Sequence, residues 1–191
     1  MITLILGGAR SGKSDLALRL AGTIPGRRAF VATAQVLDEE MAERITLHRR
    51  TRGDDWETFE EPREVGQLLL RIAGQFQVIL LDCLTLWISN RLLAGGAEGI
   101  EAALEKEIDL IREAGKYPGL HLFLVGNEVG MGVVPESSLG RIFRDLCGRV
   151  HQSLAKAADS VTFCVAGLPL PLKGEGVPSG VSPIPQRPWI L

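Results

Sequence analysis

The chain opens MITLILGGARSGKS, residues 1–14, and the reading of this stretch decides the fold. Residues 2–6 form a short apolar run with enough branched side chains for a buried strand. The run leads into Gly7-Gly8-Ala9-Arg10-Ser11-Gly12-Lys13-Ser14, which fits the phosphate-loop pattern G-x-x-x-x-G-K-[ST]. Residues 15–20 follow with helix-forming composition, Leu16, Leu18 and Leu20 alternating with polar or small neighbours. Strand, glycine loop and helix thus stand in the order the pattern needs. Glycines let the backbone turn so that several N–H groups face one phosphate. The helix start adds its partial positive charge. Lys13 is placed to reach the β- and γ-phosphates, and the Ser14 hydroxyl to sit on Mg²⁺. A bare glycine turn without ligand is the plainer alternative, and the flanking strand and the Lys-Ser pair weigh against it.

The 191 residues suit one domain with a single sizeable core. Net charge is -2 and 46% of the residues are hydrophobic, the ordinary balance of a soluble globular protein. No basic excess points to nucleic acid as the main partner. No apolar run is long enough to span a membrane. The N-terminal run is too short for a secretory signal and leads directly into the loop. Cys83, Cys147 and Cys164 are odd in number and form no CxxC pair, which argues against a zinc site or a disulfide framework. Each is expected as a small buried apolar residue, and a reduced cytoplasm is the expected location.

Further along, residues 29–32 (AFVA) predict a second short strand, ending in Thr33-Ala34-Gln35. Strand ends of this kind carry ligand loops in open α/β sheets, and an ordinary loop is the equal alternative. Residues 38–50 (DEEMAERITLHRR) predict a helix capped by Asp38, with acids in its first turn and arginines in its last. Met41, Ile45 and His48 share one face, which sets His48 among Arg44, Arg49, Arg50 and Arg52. On these residues alone two readings stay open: a solvated basic helix end, or a phosphate site. The arginine charge would lower the imidazole pKa and keep His48 neutral and nucleophilic.

Residues 53–62 read as a loop or short strand anchored by Trp56 and Phe59, and 64–74 as a helix. Residues 78–82 (VILLD) predict a buried parallel strand whose terminal Asp82 reaches Mg²⁺ directly or through water. A simple cap of the following helix, 84–93, is the alternative for Asp82. Residues 100–114 predict an amphipathic helix with Ile100, Leu104, Ile108 and Ile111 on one face. Residues 120–125 predict a strand holding His121 as a satisfied strand histidine. Its end, with Asn127, Glu128 and three glycines, suits a substrate loop, and a flexible connection is the equal alternative. Residues 137–158 predict a long helix with Leu139, Ile142, Phe143, Leu146, Val150 and Leu154 in the core, and with a structural His151. Residues 160–165 are expected as the final strand. The domain is expected to span 1–173. Residues 174–191 hold Pro178, Pro183, Pro185 and Pro188 and read as a tail, with Trp189 and Ile190 as a docking point.

Several of these pieces resemble one family, the bifunctional adenosylcobinamide kinase / adenosylcobinamide-phosphate guanylyltransferases of cobalamin assembly. The matching residues are Gly7–Ser14, Ala32-Thr33-Ala34, the helix holding Arg44, Ile45, His48 and Arg49, then Trp56, Glu60 and Asp82, the run NEVGMGVVPE at 127–136, and Phe143, Arg144, Asp145, Gly148, Arg149 and Val150. The resemblance covers about residues 1 to 173, and the run at 127–136 with the His48 helix is its most specific part.

The resemblance implies an α/β, RecA-like P-loop NTPase fold, a mostly parallel sheet flanked by helices, assembled as a homotrimer. It implies transfer of the γ-phosphate of ATP or GTP to the hydroxyl of adenosylcobinamide. It then implies attack of a histidine on the α-phosphate of GTP and passage of GMP to adenosylcobinamide phosphate. The family's guanylylated histidine falls on His48. Its nucleotide contacts fall on Gly7, Gly8, Ala9, Arg10, Ser11, Gly12, Lys13, Ser14, Ala32, Thr33, Ala34, Arg49, Arg50, Thr51, Arg52, Glu60 and Asp82, most loosely through 49–52. Ser14 and Asp82 are the implied Mg²⁺ residues. Imidazole is a competent covalent nucleophile when neutral. Lys13, the loop N–H groups, Mg²⁺ and the arginines would offset charge developing on phosphate oxygens. A simple P-loop small-molecule kinase with a structural His48, and a non-catalytic nucleotide-binding switch, are the competing readings. Neither accounts for His48 and the 127–136 loop together.

Overall fold

The computed structural model describes residues 1–35 and 55–174. The strands are β1 (Ile2–Gly7), β2 (Arg28–Ala32), β3 (Trp56–Glu60), β4 (Val78–Asp82), β5 (His121–Asn127), β6 (Ser160–Val165) and β7 (Leu168–Lys173). The helices among the described residues are α1 (Lys13–Gly22), α2 (Val65–Ile72), α3 (Leu84–Gly95), α4 (Ile100–Gly115) and α5 (Ser138–Ala157). The predicted helix at 38–50 lies outside the described residues, as does the tail from 175 onward.

The strands make one sheet in the order β3-β2-β4-β5-β1-β6-β7. All neighbours run parallel except β6 and β7. Central strands read as continuous apolar runs because helices cover both faces. Leu4, Leu6, Ile79, Leu81, Leu122 and Leu124 pack towards α2, α3, α4 and α5. Ile5, Phe30, Val78, Leu80, Phe123 and Val125 pack with Leu16, Ala17 and Ala21 of α1. The period of two thus splits each strand between the two faces. Trp56 and Phe59 are half-buried anchors of the edge strand, edge-on to Phe30 and Phe76 at ring-centroid separations of 6.2 and 5.9 Å. All three cysteines are buried and free, as expected. Burial, then the Asp82 carboxylate, pushes the Cys83 thiol up to about 12.

Three sequence expectations are corrected. Residues 160–165 are not the last strand: β7 follows, antiparallel, through a two-residue turn at Ala166 and Gly167, both with positive φ (50° and 80°). Pro169 and Pro171 hide this strand from a propensity reading, yet they fit an edge strand, where a missing N–H costs no ladder bond. Leu139 is 45% exposed and outside the core; Ile142 and Phe143 are half-buried against it, and the fully buried stripe begins at Leu146. His121 is not satisfied: its buried Nδ1 has no hydrogen-bond partner among the described residues. Burial, with the amino group of Met1 adding to it, lowers its pKa.

Helix α2 has no side-chain cap of its own. Glu107 of α4, 2% exposed, supplies one from across the fold: its Oε2 accepts from the Gly66 N–H at 2.6 Å. Desolvation raises the Glu107 pKa above its ordinary value, so the folded state holds this proton more tightly than the unfolded chain. The stabilisation this proton confers is full below the ordinary carboxylate pKa and is lost as pH rises through the folded-state value. Glu107→Gln keeps an acceptor and cannot ionise. Its urea midpoint relative to the wild type is therefore expected to rise between pH 5 and pH 8. Glu107→Ala is expected to cost about 1–3 kcal/mol by leaving the Gly66 N–H unpaired.

Candidate active site

The register of the sheet assembles the site. Gly7 stands beside Asn127 of β5 and Cys164 of β6. Asp82 stands beside Ala32 of β2 and Val125 of β5. Ala32 in turn stands beside Glu60 of β3. Every described residue of the predicted nucleotide site thus lies at or just beyond the carboxyl ends of the parallel strands, where open α/β sheets bind ligands. They are not all neighbours: Glu60 is on the edge strand, four strand spacings or roughly 19 Å from β1 across the sheet.

The loop after β1 is held from several sides. Gly7 must be glycine: a Cβ there would come within 2.5 Å of Ser11 Oγ and 2.6 Å of the Cys164 carbonyl oxygen. The Ser11 N–H donates to the Gly8 carbonyl at 3.3 Å and closes the turn. The Ser11 carbonyl accepts from the Gly167 N–H at 3.1 Å, so the β6–β7 turn braces the loop. Gly12, with φ 90°, is the N-cap of α1 and offers no side chain to its first turn. The first N–H groups of a helix have no partner within the helix, and a start of this kind suits an anion. Lys13 is 8% exposed and its Nζ donates to the Gly8 carbonyl at 3.1 Å. Ser11 Oγ is buried with no hydrogen-bond partner among the described residues.

A polar bracket ties the neighbouring strand ends together. Thr33, fully buried, bridges β2 and β4: its Oγ1 donates to the Cys83 carbonyl at 2.7 Å and accepts from the Cys83 N–H at 2.9 Å. Its hydroxyl is thereby committed to holding two strand ends in register. Asn90 of α3 donates to the Thr33 carbonyl at 2.7 Å and the Pro62 carbonyl at 3.1 Å. Thr85 Oγ1 accepts from the Asn127 N–H at 2.7 Å, which fixes β5 to the start of α3. The Glu128 N–H donates to the Gly7 carbonyl at 3.0 Å, which joins the β5 exit directly to the phosphate loop. Asn90 and Thr85 escape a sequence reading because they are ordinary polar residues of a helix; only the fold shows which carbonyls they meet. His48, Arg49, Arg50, Thr51 and Arg52 lie outside the described residues.

Ser14 and Asp82 are both half-buried oxygen donors. Hard, oxygen-only chemistry with few protein ligands fits a Mg²⁺ that takes its remaining positions from phosphate and water. No group of three or more His, Cys, Asp or Glu among the described residues forms an all-protein metal cage.

Comparison with known proteins gives one consistent answer. A family model described as "CobU: Cobinamide kinase / cobinamide phosphate guanyltransferase" matches residues 3–172. The "Bifunctional adenosylcobalamin biosynthesis protein CobP" of Pseudomonas aeruginosa is 45% identical over 175 residues, 92% of this chain and 99% of that protein. The "Bifunctional adenosylcobalamin biosynthesis protein CobU" of Salmonella typhimurium is 41% identical over 182 residues, 91% of this chain and 100% of that protein. The protein of the same name from Escherichia coli is 40% identical over the same length. Among solved structures, the RadB recombinase matches with a TM-score of 0.50 at 15% identity, covering 85% of this chain and 73% of that one, a likeness of fold alone. The sheet is thus RecA-like, and the chain belongs to the cobinamide kinase / cobinamide phosphate guanyltransferase family.

Proposed function

We infer that one nucleotide site on this chain serves both reactions, kinase first and guanylyl transfer second. The protein is a cobinamide kinase and cobinamide phosphate guanylyltransferase of cobalamin biosynthesis. The observation that carries the single-site reading is the strand register, which sets the loop of Gly7, Gly8, Ala9, Arg10, Ser11, Gly12, Lys13 and Ser14 beside the Asn127 end of β5, with the Asp82 end of β4 on the other side of β5.

In the first reaction the γ-phosphate of ATP or GTP lies in the loop. The loop N–H groups and Lys13 hold its oxygens, and adenosylcobinamide offers its hydroxyl. In the second, GTP occupies the loop and His48 attacks the α-phosphorus. A P–N bond forms, the bond to the β-phosphate oxygen breaks, and pyrophosphate leaves. An oxygen of adenosylcobinamide phosphate then attacks the same phosphorus. The P–N bond breaks, His48 is restored, and adenosylcobinamide-GDP forms. Ala32, Ala34, Arg49, Arg50, Thr51, Arg52 and Glu60 line the rest of the nucleotide path, with Thr33 buried behind it as the bridge between strand ends. Ser14 and Asp82 would hold Mg²⁺, which, when bound, neutralises phosphate charge.

The active protein is a homotrimer of the cytoplasm. Leu168, Leu170 and Leu172, each more than half exposed on edge strand β7, leave an apolar strip of the kind a subunit contact covers. No helix among the described residues is long and apolar enough to cross a membrane.

The test uses two labels on the wild-type protein with Mg²⁺. Phosphate from γ-labelled ATP is expected to appear in cobinamide phosphate, and GMP from α-labelled GTP in cobinamide-GDP. Phosphate transfer without GMP transfer would leave the simple kinase. Nucleotide affinity with neither transfer would leave the switch.

A further inference from the structure

His151 of α5 is 5% exposed, and neither ring nitrogen has a hydrogen-bond partner among the described residues. A buried imidazole left so costs free energy unless something in the working state uses it. Its ring lies under Gly126 near the end of β5: a Cβ on Gly126 would come within 2.7 Å of Nε2. Glycine at 126 therefore keeps open the place this ring occupies. Glu128 follows two residues after Gly126, just past the end of β5. Among the described residues, Glu128 is the charged group that acts on His151, raising its pKa against the stronger lowering by burial. The ring is neutral at pH 7, with one N–H to donate and one nitrogen to accept.

Glu128 itself is half-buried and joined to the phosphate loop through its N–H on the Gly7 carbonyl. Its Oε1 accepts from the Gly130 N–H at 2.6 Å, which aims the carboxylate along the exit loop. Asn127 Oδ1, beside it, is also buried without a partner among the described residues. Beyond Gly130 the loop turns apolar and outward, Met131 79% and Val133 96% exposed. A carboxylate next to the phosphate loop, with exposed apolar side chains just outside it, suits an acceptor that is large, has an apolar face and reacts through one hydroxyl.

We propose that the β5–α5 loop is the acceptor site of the kinase step, with Glu128 as the base for the acceptor hydroxyl and His151 as the positioning residue beneath it. The assignment rests on the kinase reading given above. In the step, the hydroxyl proton passes to the Glu128 carboxylate while the hydroxyl oxygen bonds to the γ-phosphorus. The bond from that phosphorus to the β-phosphate oxygen breaks, and the nucleoside diphosphate leaves with that electron pair. His151, unbonded among the described residues, donates its N–H to the carboxylate only in the working state, with the acceptor bound, and so holds the second oxygen in line.

The experiment measures cobinamide phosphorylation by ATP, with GTP affinity by calorimetry as the check on the nucleotide site. Glu128→Gln is expected to lower kcat by about 100-fold or more, the usual contribution of a positioned base, with GTP affinity within about twofold of the wild type. His151→Leu is expected to lower kcat about tenfold with the KM for ATP unchanged, and His151→Gln, which keeps a donor, to recover most of it. If wild type is active and Glu128→Gln stays within about threefold of it, the base assignment falls. If Leu and Gln at 151 behave alike, lowering only the melting temperature, the positioning role falls. Wild-type protein inactive on cobinamide would overturn the kinase reading itself and this assignment with it.

Discussion

His48→Ala is expected to abolish transfer of GMP while leaving the kinase reaction nearly intact. With Mg²⁺ and α-labelled GTP, the wild type should carry an acid-labile, base-stable label through a denaturing gel, and the variant none. Removing a covalent nucleophile commonly costs at least about 10⁴-fold, because no other group is placed to form the intermediate. The rate of cobinamide phosphorylation should stay within about threefold, since the γ-phosphate transfer needs the loop and the acceptor but no histidine adduct. The split is the informative part. A variant that loses both activities would indicate a folding or binding defect, to be checked by GTP affinity. A variant that keeps its label would move the nucleophile elsewhere and return His48 to the plain basic helix end.

Lys13→Ala is expected to damage both reactions together. Lys13 is nearly buried and bonded to the Gly8 carbonyl of its own loop, so its ammonium is held at the phosphate cradle before any nucleotide arrives. Such a preorganised charge acts on whichever phosphate is reacting, the γ-phosphate in the first step and the α-phosphate region in the second. Loss of one preorganised donor costs about 10²–10³ in kcat in measured cases. The same range is expected here for phosphorylation and for labelling of the protein. Lys13→Arg is expected to rescue little, because a planar fork does not replace a compact ammonium in a space this tight. Equal loss in both assays would support one shared loop; loss in one alone would require a second nucleotide site.

The two variants separate what was legible in the sequence from what was not. The phosphate loop was legible because its chemistry is local: fourteen consecutive residues contain the strand, the turn and the helix start. Asp82 was legible for the same reason, as an acid closing an apolar strand. The period of 3.6 in α4 also marks a polar residue for burial. Glu107 falls on the stripe of Leu104, Ile108 and Ile111, and a carboxylate on an apolar stripe needs a partner. His151 stands likewise on the stripe of Cys147, Val150 and Leu154.

By itself, then, the sequence determined the α/β class, the strand–loop–helix start with its phosphate-loop pattern, and the kinship with the cobinamide kinase family. Only the tertiary structure decided which strands are neighbours, and with that which side chains meet. Thr33 finds Cys83 across 50 residues of chain, and Glu107 finds Gly66 across 41. The Gly167 N–H finds Ser11 only because β6 lies beside β1. Periodicity reports which face of an element is buried, since burial acts residue by residue along the chain. It carries no information about the partner on the other side, because that contact depends on strand order, and strand order is set by the packing of the whole sheet.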